Sequence, residues 1–370
     1  MHFIATSSDL HQGMNLVTRA LLPRAAKLAY EGVFIETLED GLQLSCTNGE
    51  MTIKTVIPAV IKEDGCALLP AKLLGELLSK LSGEVDIRTE GNQKAQIVSM
   101  ESRTSMMLME ASDFPEIQDV RADYVVSMPQ KKLRDAVSRI IFAVSADETR
   151  RILTGCLMET YPEHVAFVCL DGFRLAMQRV YVSHELPKDK DNLSAILPGS
   201  IIGEVARMMP DSEEPVQLHC SATHLMVSFG KTKVYCPLIP GEYINYKQIL
   251  PANHATSIRV DRAQMMGAIE RAALMAREGN NNLLKLKVET DSLTIQANAE
   301  RGAVVERIPI DFTGSPLNIA FNARYLMDVI KNLDAQDMAM HFNTNVSPCV
   351  IGPTSGNQYT YLVLPVRVAE

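Results

Sequence analysis

No run of about 18 or more apolar residues occurs anywhere in the chain, so no segment is long enough to cross a bilayer as a helix. The start, Met1 to Asp9, lacks the basic and apolar blocks of a signal peptide, which leaves the cytosol as the expected location and no membrane partner. Cysteine is sparse: the seven residues are odd in number, form no CxxC pair and fall mostly within strand-like runs. Reduced core thiols are therefore expected, rather than disulfides or a zinc site. The eight histidines include no HExxH or other i, i+4 pair, and there is no GxSxG elbow, no Walker loop and no dinucleotide fingerprint after a strand. These absences predict a chain without metal, cofactor or catalytic residue. Positive charge is also scarce, with 36 Lys and Arg against 44 Asp and Glu for a net charge of -8, which on average argues against a nucleic-acid partner.

What is present is 370 residues of ordinary globular composition, 46% apolar and 22% charged, with ample material for a core. One stretch recurs three times, as Leu69 to Leu78, as Leu197 to Ala206 and as Phe321 to Ile330. In each, an apolar residue ends a strand, Pro70, Pro198 or Asn322 opens a helix, and bulky apolar residues follow at i, i+1, i+4 and i+5 as one stripe. Glu76, Glu204 and Asp328 hold the same place in each copy. The copies lie 128 and 124 residues apart, too far for solenoid units of roughly 20 to 50 residues and right for a compact domain. The chain reads as an α+β protein of three tandem domains, 1–122, 123–250 and 251–370, each with two helices packed on short antiparallel strands. The short junctions predict domains set side by side.

In the first copy, the strand His2 to Thr6 leads into a helix with Ser7, Ser8 and Asp9 as N-cap candidates and Leu10, Met14, Val17, Leu21 and Leu22 on its apolar face, ended by Pro23. Val33 to Thr37 and Leu42 to Cys46 form a hairpin, Met51 to Pro58 is a further strand, and the recurring helix spans Pro70 to Leu81. Strands at Glu84 to Thr89, Ala95 to Met100 and Ser105 to Glu110 close the copy. The second has a helix from Pro129 to about Ala143, paired strands Gly155 to Thr160 and Val165 to Leu170, a polar loop Lys188 to Asn192, the helix Pro198 to Met209 and strands Val216 to Cys220, Leu225 to Phe229 and Val234 to Leu238. The third has a helix Asp261 to Ala276 ended by Glu278 to Asn282, a hairpin of Leu284 to Glu289 with Leu293 to Ala297, the helix Asn322 to Leu333, and strands Met338 to Asn343, Cys349 to Gly352 and Tyr359 to Leu364. Asp171-Gly172-Phe173-Arg174 is the most suggestive polar cluster. A tight turn is the favoured reading, because Asn48-Gly49-Glu50-Met51 and Asn298-Ala299-Glu300-Arg301 stand in its place elsewhere.

Charge placement qualifies the acidic average. Residues 10–30 hold three bases and no acid, residues 130–151 six bases against three acids, and residues 259–279 four against three. Each window opens a copy, so positive charge recurs at one architectural place against an acidic background.

The threefold pattern resembles the bacterial DNA sliding clamp family, the beta subunit of DNA polymerase III. The resemblance is carried by Phe142 to Gly155, Asp171 to Ala176, Arg271 to Glu278 and Tyr361 to Arg367, and covers essentially the whole chain in order. It implies a ring of two protomers whose helices line a central hole around double-stranded DNA, contacted without regard to sequence. Arg24, Arg150, Arg151 and Arg277 would face phosphates, with Lys72, Arg207 and Arg324 in second place. It also implies a non-catalytic processivity factor that tethers DNA polymerase subunits, the clamp loader and repair proteins with short clamp-binding motifs. Their pocket would comprise Leu153, Leu170, Gly172, Arg174, Leu175, Ile244, Ile249, Leu362, Val363, Leu364, Pro365, Val366 and Arg367. The sequence departs from the family's usual pattern at Phe173, where His is common, at Ile244, where Pro is common, and at Gln248, where a base is common. It departs again at Leu28 to Gly32 and by ending in Val368-Ala369-Glu370. Two rival readings are a specialised accessory copy of such a clamp and an enzyme with a cleft around Asp171 and Arg174.

Overall fold

Period-two runs such as Leu283–Val288 bury Leu284, Leu286 and Val288 and leave Lys285 and Lys287 outside, and runs of this kind give the chain its antiparallel sheets. The computed structural model describes residues 1–24, 27–91, 93–117, 119–184, 186, 192–279 and 282–367. These form two compact units, 1–131 with 207–238 and 132–206 with 239–370. The α-helices are α1 (Ser7–Val17), α2 (Ala71–Leu78), α3 (Gln130–Ile140), α4 (Gly199–Met208), α5 (Arg262–Glu278) and α6 (Ala323–Lys331). The chain passes between units within α3, within α4 and after Leu238.

The first unit has a five-stranded sheet in the order Val60–Glu63, His2–Thr6, Glu84–Glu90, Lys94–Ser99, Ser102–Met107. Its second sheet has eight strands, ordered Tyr124–Pro129, Pro215–Cys220, His224–Phe229, Thr232–Pro237, Thr52–Ile57, Gly41–Thr47, Gly32–Leu38, Cys66–Pro70. Strands from different sequence copies meet at the join of Thr52–Ile57 with Thr232–Pro237, where the buried hydroxyls of Thr55 and Thr232 lie 2.9 Å apart. Against these strands α1 buries Leu10, Gly13, Met14 and Val17.

The second unit has a nine-stranded sheet, ordered Leu193–Pro198, Gly155–Thr160, His164–Leu170, Arg174–Tyr181, Tyr359–Val363, Cys349–Pro353, Asp337–Phe342, Thr256–Asp261, Asp311–Gly314. A four-stranded sheet follows the order Gly302–Pro309, Ser292–Ala299, Leu283–Val288, Leu317–Asn322. Asp261 caps α5 by accepting from the Gln264 N–H at 2.8 Å, as the charge arrangement at a helix N-terminus favours. The buried face of α5 is mostly alanine, namely Ala268, Ala272, Ala273 and Ala276, which lets it lie close on the strands beneath. Asn322 caps α6 through the Arg324 N–H at 2.9 Å.

Several expected boundaries move for identifiable reasons. The first helix is capped by Thr6, one residue before the expected set, and ends at Val17 rather than running to Pro23. The Thr18 hydroxyl bonds back to the Met14 carbonyl at 2.7 Å and Leu21 is extended, leaving Leu22 57% exposed. The recurring helix stops at Leu78, three residues early, with Ser79 donating to the Glu76 carbonyl. Its stripe is not uniformly core, since Leu74 and Leu78 are buried while Leu73 is 55% exposed. Neighbours i and i+1 lie about 100° apart on a helix, so both cannot point inward on a narrow face. The expected strand Ser105 to Glu110 is instead Ser102–Met107, the strand implied after the Asp171 turn is Arg174–Tyr181, and Val60–Glu63, Gly302–Pro309 and Asp311–Gly314 had no sequence prediction behind them. Most of the loop 188–192, part of the stop after Glu278 and the ending 368–370 lie outside the described residues.

Of the cysteines, only Cys66 is exposed, and all seven are free thiols. Burial pushes the thiols of Cys220 and Cys236 up to about 11 and about 12. Histidine gives the fold a testable pH dependence. Burial holds His164, His184, His219 and His341 below the ordinary value, helped by Arg179 at His164, Lys233 at His219 and, at His341, by the His254 ring stacked at 4.4 Å. These rings stay neutral in the folded chain where the unfolded chain binds protons, so their contribution is complete above the unfolded value near pH 6.5 and is lost as pH falls below it. The urea midpoint should be level above pH 7 and fall steadily from pH 6.5 towards 5; a midpoint unchanged over that window would contradict the assignment.

Candidate functional site

In the second unit, strands His164–Leu170 and Arg174–Tyr181 are joined by a turn that needs a left-handed residue, supplied by Gly172 at φ 93°. The Asp171 Oδ1 accepts the backbone N–H groups of Phe173 at 2.8 Å and Arg174 at 3.0 Å, closing the turn. Its other oxygen accepts from Arg174 Nε at 3.0 Å. Both oxygens are thus committed to the turn, as the tight-turn reading expected.

Arg174 is a structural hub with a side chain only 9% exposed. Beyond Asp171 it donates to the Phe142 carbonyl at 2.8 Å and pairs with Asp328 of α6. Its guanidinium also stands 4.8 Å from the Tyr325 ring centroid and 5.3 Å from that of Phe142, within cation–π range. Sequence reasoning placed Arg174 on a pocket rim and assigned no role to Phe142, Tyr325 or Asp328. The shared acidic position of the recurring helix was the available signal for Asp328.

An apolar floor lies beside this turn. Leu153, Leu170, Leu175 and Leu362 are packed together, each no more than 4% exposed, with Leu364 against them at the margin. Leu175 sits opposite Leu362 across the strand pair. Val363 is fully buried and Leu362 2% exposed, and the two point to opposite faces of the strand. The Leu364 N–H continues the pairing to the Phe173 carbonyl, and the Val366 N–H donates to the Ala320 carbonyl, both at 2.8 Å. Pro365 and Val366 are partly buried and Arg367 is exposed.

The third wall is the segment Tyr243 to Leu250, and its anchors are polar. Tyr246 donates to Glu159 Oε2 at 2.6 Å, and Lys247 Nζ donates to Glu159 Oε1 at 3.0 Å and the Tyr161 hydroxyl at 2.8 Å. Burial, then the Glu159 hydrogen bond, pushes the Tyr246 hydroxyl far above its usual range. Pinned in this way, the segment presents Ile244 at 44% and Ile249 at 37% exposure. Phe173 is 51% exposed and stacks on Tyr325 with centroids 5.6 Å apart. The exposed apolar surface is therefore the rim of Phe173, Ile244 and Ile249 above a leucine floor, a form suited to an extended peptide with apolar anchors.

The basic candidates divide. Arg24, Lys72 and Arg207 are exposed in the first unit, and Arg151, Arg277 and Arg324 in the second. Arg277 lies in the last turn of α5, where the helix end favours a cation. Arg150 donates from Nε to Asp147 at 3.2 Å, and its Nη1 lies 3.2 Å from where a Cβ on Gly172 would sit. It stands beside the turn of the apolar site, a position sequence reasoning did not give it. Among the described residues no group of three or more His, Cys, Asp or Glu could hold a metal ion, and no helix is long and apolar enough to cross a membrane.

Residues 1–118, 127–245 and 247–367 match in turn the N-terminal, central and C-terminal domains of the DNA polymerase III beta subunit. A beta sliding clamp from Synechococcus elongatus is 29% identical over 375 residues, covering 100% of both chains. One from Staphylococcus aureus is 27% identical over 96% of both. Among solved structures, a Bacillus subtilis DNA polymerase sliding clamp is 26% identical with a TM-score of 0.95, and a Pseudomonas aeruginosa clamp crystallised with a ligand is 25% identical with a TM-score of 0.94, each over 100% of both chains.

Proposed function

The chain belongs to the DNA polymerase III beta subunit family, and from that premise we infer that it is a DNA polymerase processivity factor, a non-catalytic homodimeric ring that slides on duplex DNA in the cytoplasm. The observation that carries this reading is the family match in order along the chain. Dimer closure is supported by two unpaired sheet edges. Ser102–Met107 is the outer strand of one sheet and Gly302–Pro309 of another, with Met107 66% and Val305 65% exposed. Open edges invite strand addition, and two copies joined head to tail would pair these two strands with each other.

Arg24, Arg150, Arg151 and Arg277, with Lys72, Arg207 and Arg324 behind them, are the proposed phosphate contacts. Such contacts read no sequence and are weakened by salt. The site around Leu170, Leu175, Leu362 and Leu364 is the proposed dock for polymerase subunits, the clamp loader and repair proteins. Phe173, stacked on Tyr325 at the rim, favours a partner preference of its own and keeps a specialised accessory clamp as the second reading.

The test is topological. Loaded by a clamp loader with ATP, the protein should remain on nicked circular DNA and leave once the circle is linearised; equal retention on both forms would overturn the ring. Replacing Arg24, Arg150 and Arg277 by Glu should flatten the dependence of log affinity on log salt by about 0.9 for each lost phosphate contact. An unchanged slope would remove these residues from the DNA surface.

A further inference from the structure

In the second unit, the recurring helix α6 of the third sequence copy receives the hairpin turn of the copy before it: Phe173 stacks on Tyr325, and Arg174 pairs with Asp328. The same place exists on α2 of the first copy. Pro70 stands opposite Gly32 as Asn322 stands opposite Leu283, and the Met109 N–H donates to the Leu68 carbonyl at 2.8 Å as the Val366 N–H does to that of Ala320. Counting from these pairs, Leu73 takes the place of Tyr325, Glu76 that of Asp328 and Met109 that of Val366. Among the described residues no turn is seated there, and the place is an open cavity of about 380 Å³.

Leu28 and Leu73 in its wall are 72% and 55% exposed, and with Met109 they can cover an aliphatic stem. Glu31 and Glu76 bring two carboxylates, neither of them in an ion pair with Lys72, the single base of the lining, or with any other described residue. The third sequence copy holds the matching turn. Counting from Leu283 opposite Asn322 and Gly155 opposite Pro198, Asn298 takes the place of Leu170, and it pairs with Ala303 as Leu170 pairs with Leu175. Residues 299–302 thus stand where Asp171 to Arg174 stand, one residue on from the match read in the sequence, and Arg301 stands at the place of Phe173. Its side chain is 85% exposed and comes no nearer than 3.8 Å to Glu278. In both units the strand after such a turn pairs with the last strand of the next copy, Leu175 opposite Leu362 and Thr52 opposite Tyr235. Gly302–Pro309 and Ser102–Met107 are the strands of these two kinds that keep an open edge.

We propose that the cavity beside α2 is the socket for this turn from a second protomer, with Arg301 laid over Leu73 and its guanidinium against the carboxylates of Glu31 and Glu76. The inference rests on the head-to-tail ring and names the contact that selects it. Two acids favour a guanidinium across the join and repel a carboxylate in its place.

The test is fluorescence-detected sedimentation velocity of the full chain from nanomolar to micromolar concentration, on the unaltered protein, on Arg301→Glu, on Glu76→Arg and on an equimolar mixture of the two variants. Both residues are exposed, so neither change touches the core. Each variant alone should raise the dimer dissociation constant about tenfold or more, roughly 1.4 kcal/mol, because every join then sets like charges together. The mixture should return to the affinity of the unaltered chain, since a dimer with one protomer of each kind has one unaltered join and one with the charges exchanged. Unchanged dissociation in both single variants, or a mixture no tighter than either, would overturn the proposal. An unaltered chain that stays monomeric at every concentration would instead overturn the ring on which it rests.

Discussion

Replacing Arg174 by alanine should lower the unfolding free energy by about 3 kcal/mol, the range found when one partner of a buried charge network is removed. The side chain joins the Asp171 turn, the Phe142 carbonyl and Asp328 of α6, which are 154 residues apart between Arg174 and Asp328. Alanine would deprive two carboxylates, those of Asp171 and Asp328, and the Phe142 carbonyl of their donors. Lysine should recover only part of the loss, because one ammonium cannot serve three directions as a planar fork does. Urea unfolding of the two variants and of Asp328→Asn, alone and combined with Arg174→Ala, measures the coupling. A loss under about 1 kcal/mol for Arg174→Ala would mean the network is solvated rather than structural. Loss of peptide binding by this variant would not by itself prove a contact, since the turn that carries Phe173 would move with it.

Leu364→Asp should weaken a polymerase-tail peptide by about a hundredfold, near 2.7 kcal/mol, while thermal unfolding changes little. Burying a leucine side chain is worth roughly 1.5–3 kcal/mol, and a carboxylate at the margin of an apolar floor adds a desolvation cost on binding. Leu364 is only partly buried and its backbone holds the strand through the Phe173 carbonyl, so the change acts on the surface more than on the core. Unaltered peptide affinity would refute the pocket assignment.

The strands were readable wherever one face is buried, because period-two alternation is a local property. The recurring helix was readable as a stripe, but the exposure of Leu73 depends on what covers each side of that face. The Asp171 tight turn was legible by comparing copies, and the matching φ angles of Gly49 and Gly172 give the reason. What the sequence could not supply was long-range geometry: the Arg174 link to Asp328, the Glu159 anchor under Tyr246 and Lys247, and the swing of Arg150 towards Gly172. Each joins groups whose partners are set by packing and not by spacing along the chain.

The join between Thr52–Ile57 and Thr232–Pro237 separates the unit of repetition from the unit of cohesion. A fragment cut at the end of the first sequence copy would keep every residue of that copy and still uncover the ladder from Thr52 to Thr55, along with the buried hydroxyl pair beside it. Shuffling single copies between related chains would therefore transplant a broken sheet, and inheritance of this architecture favours the whole chain over its parts.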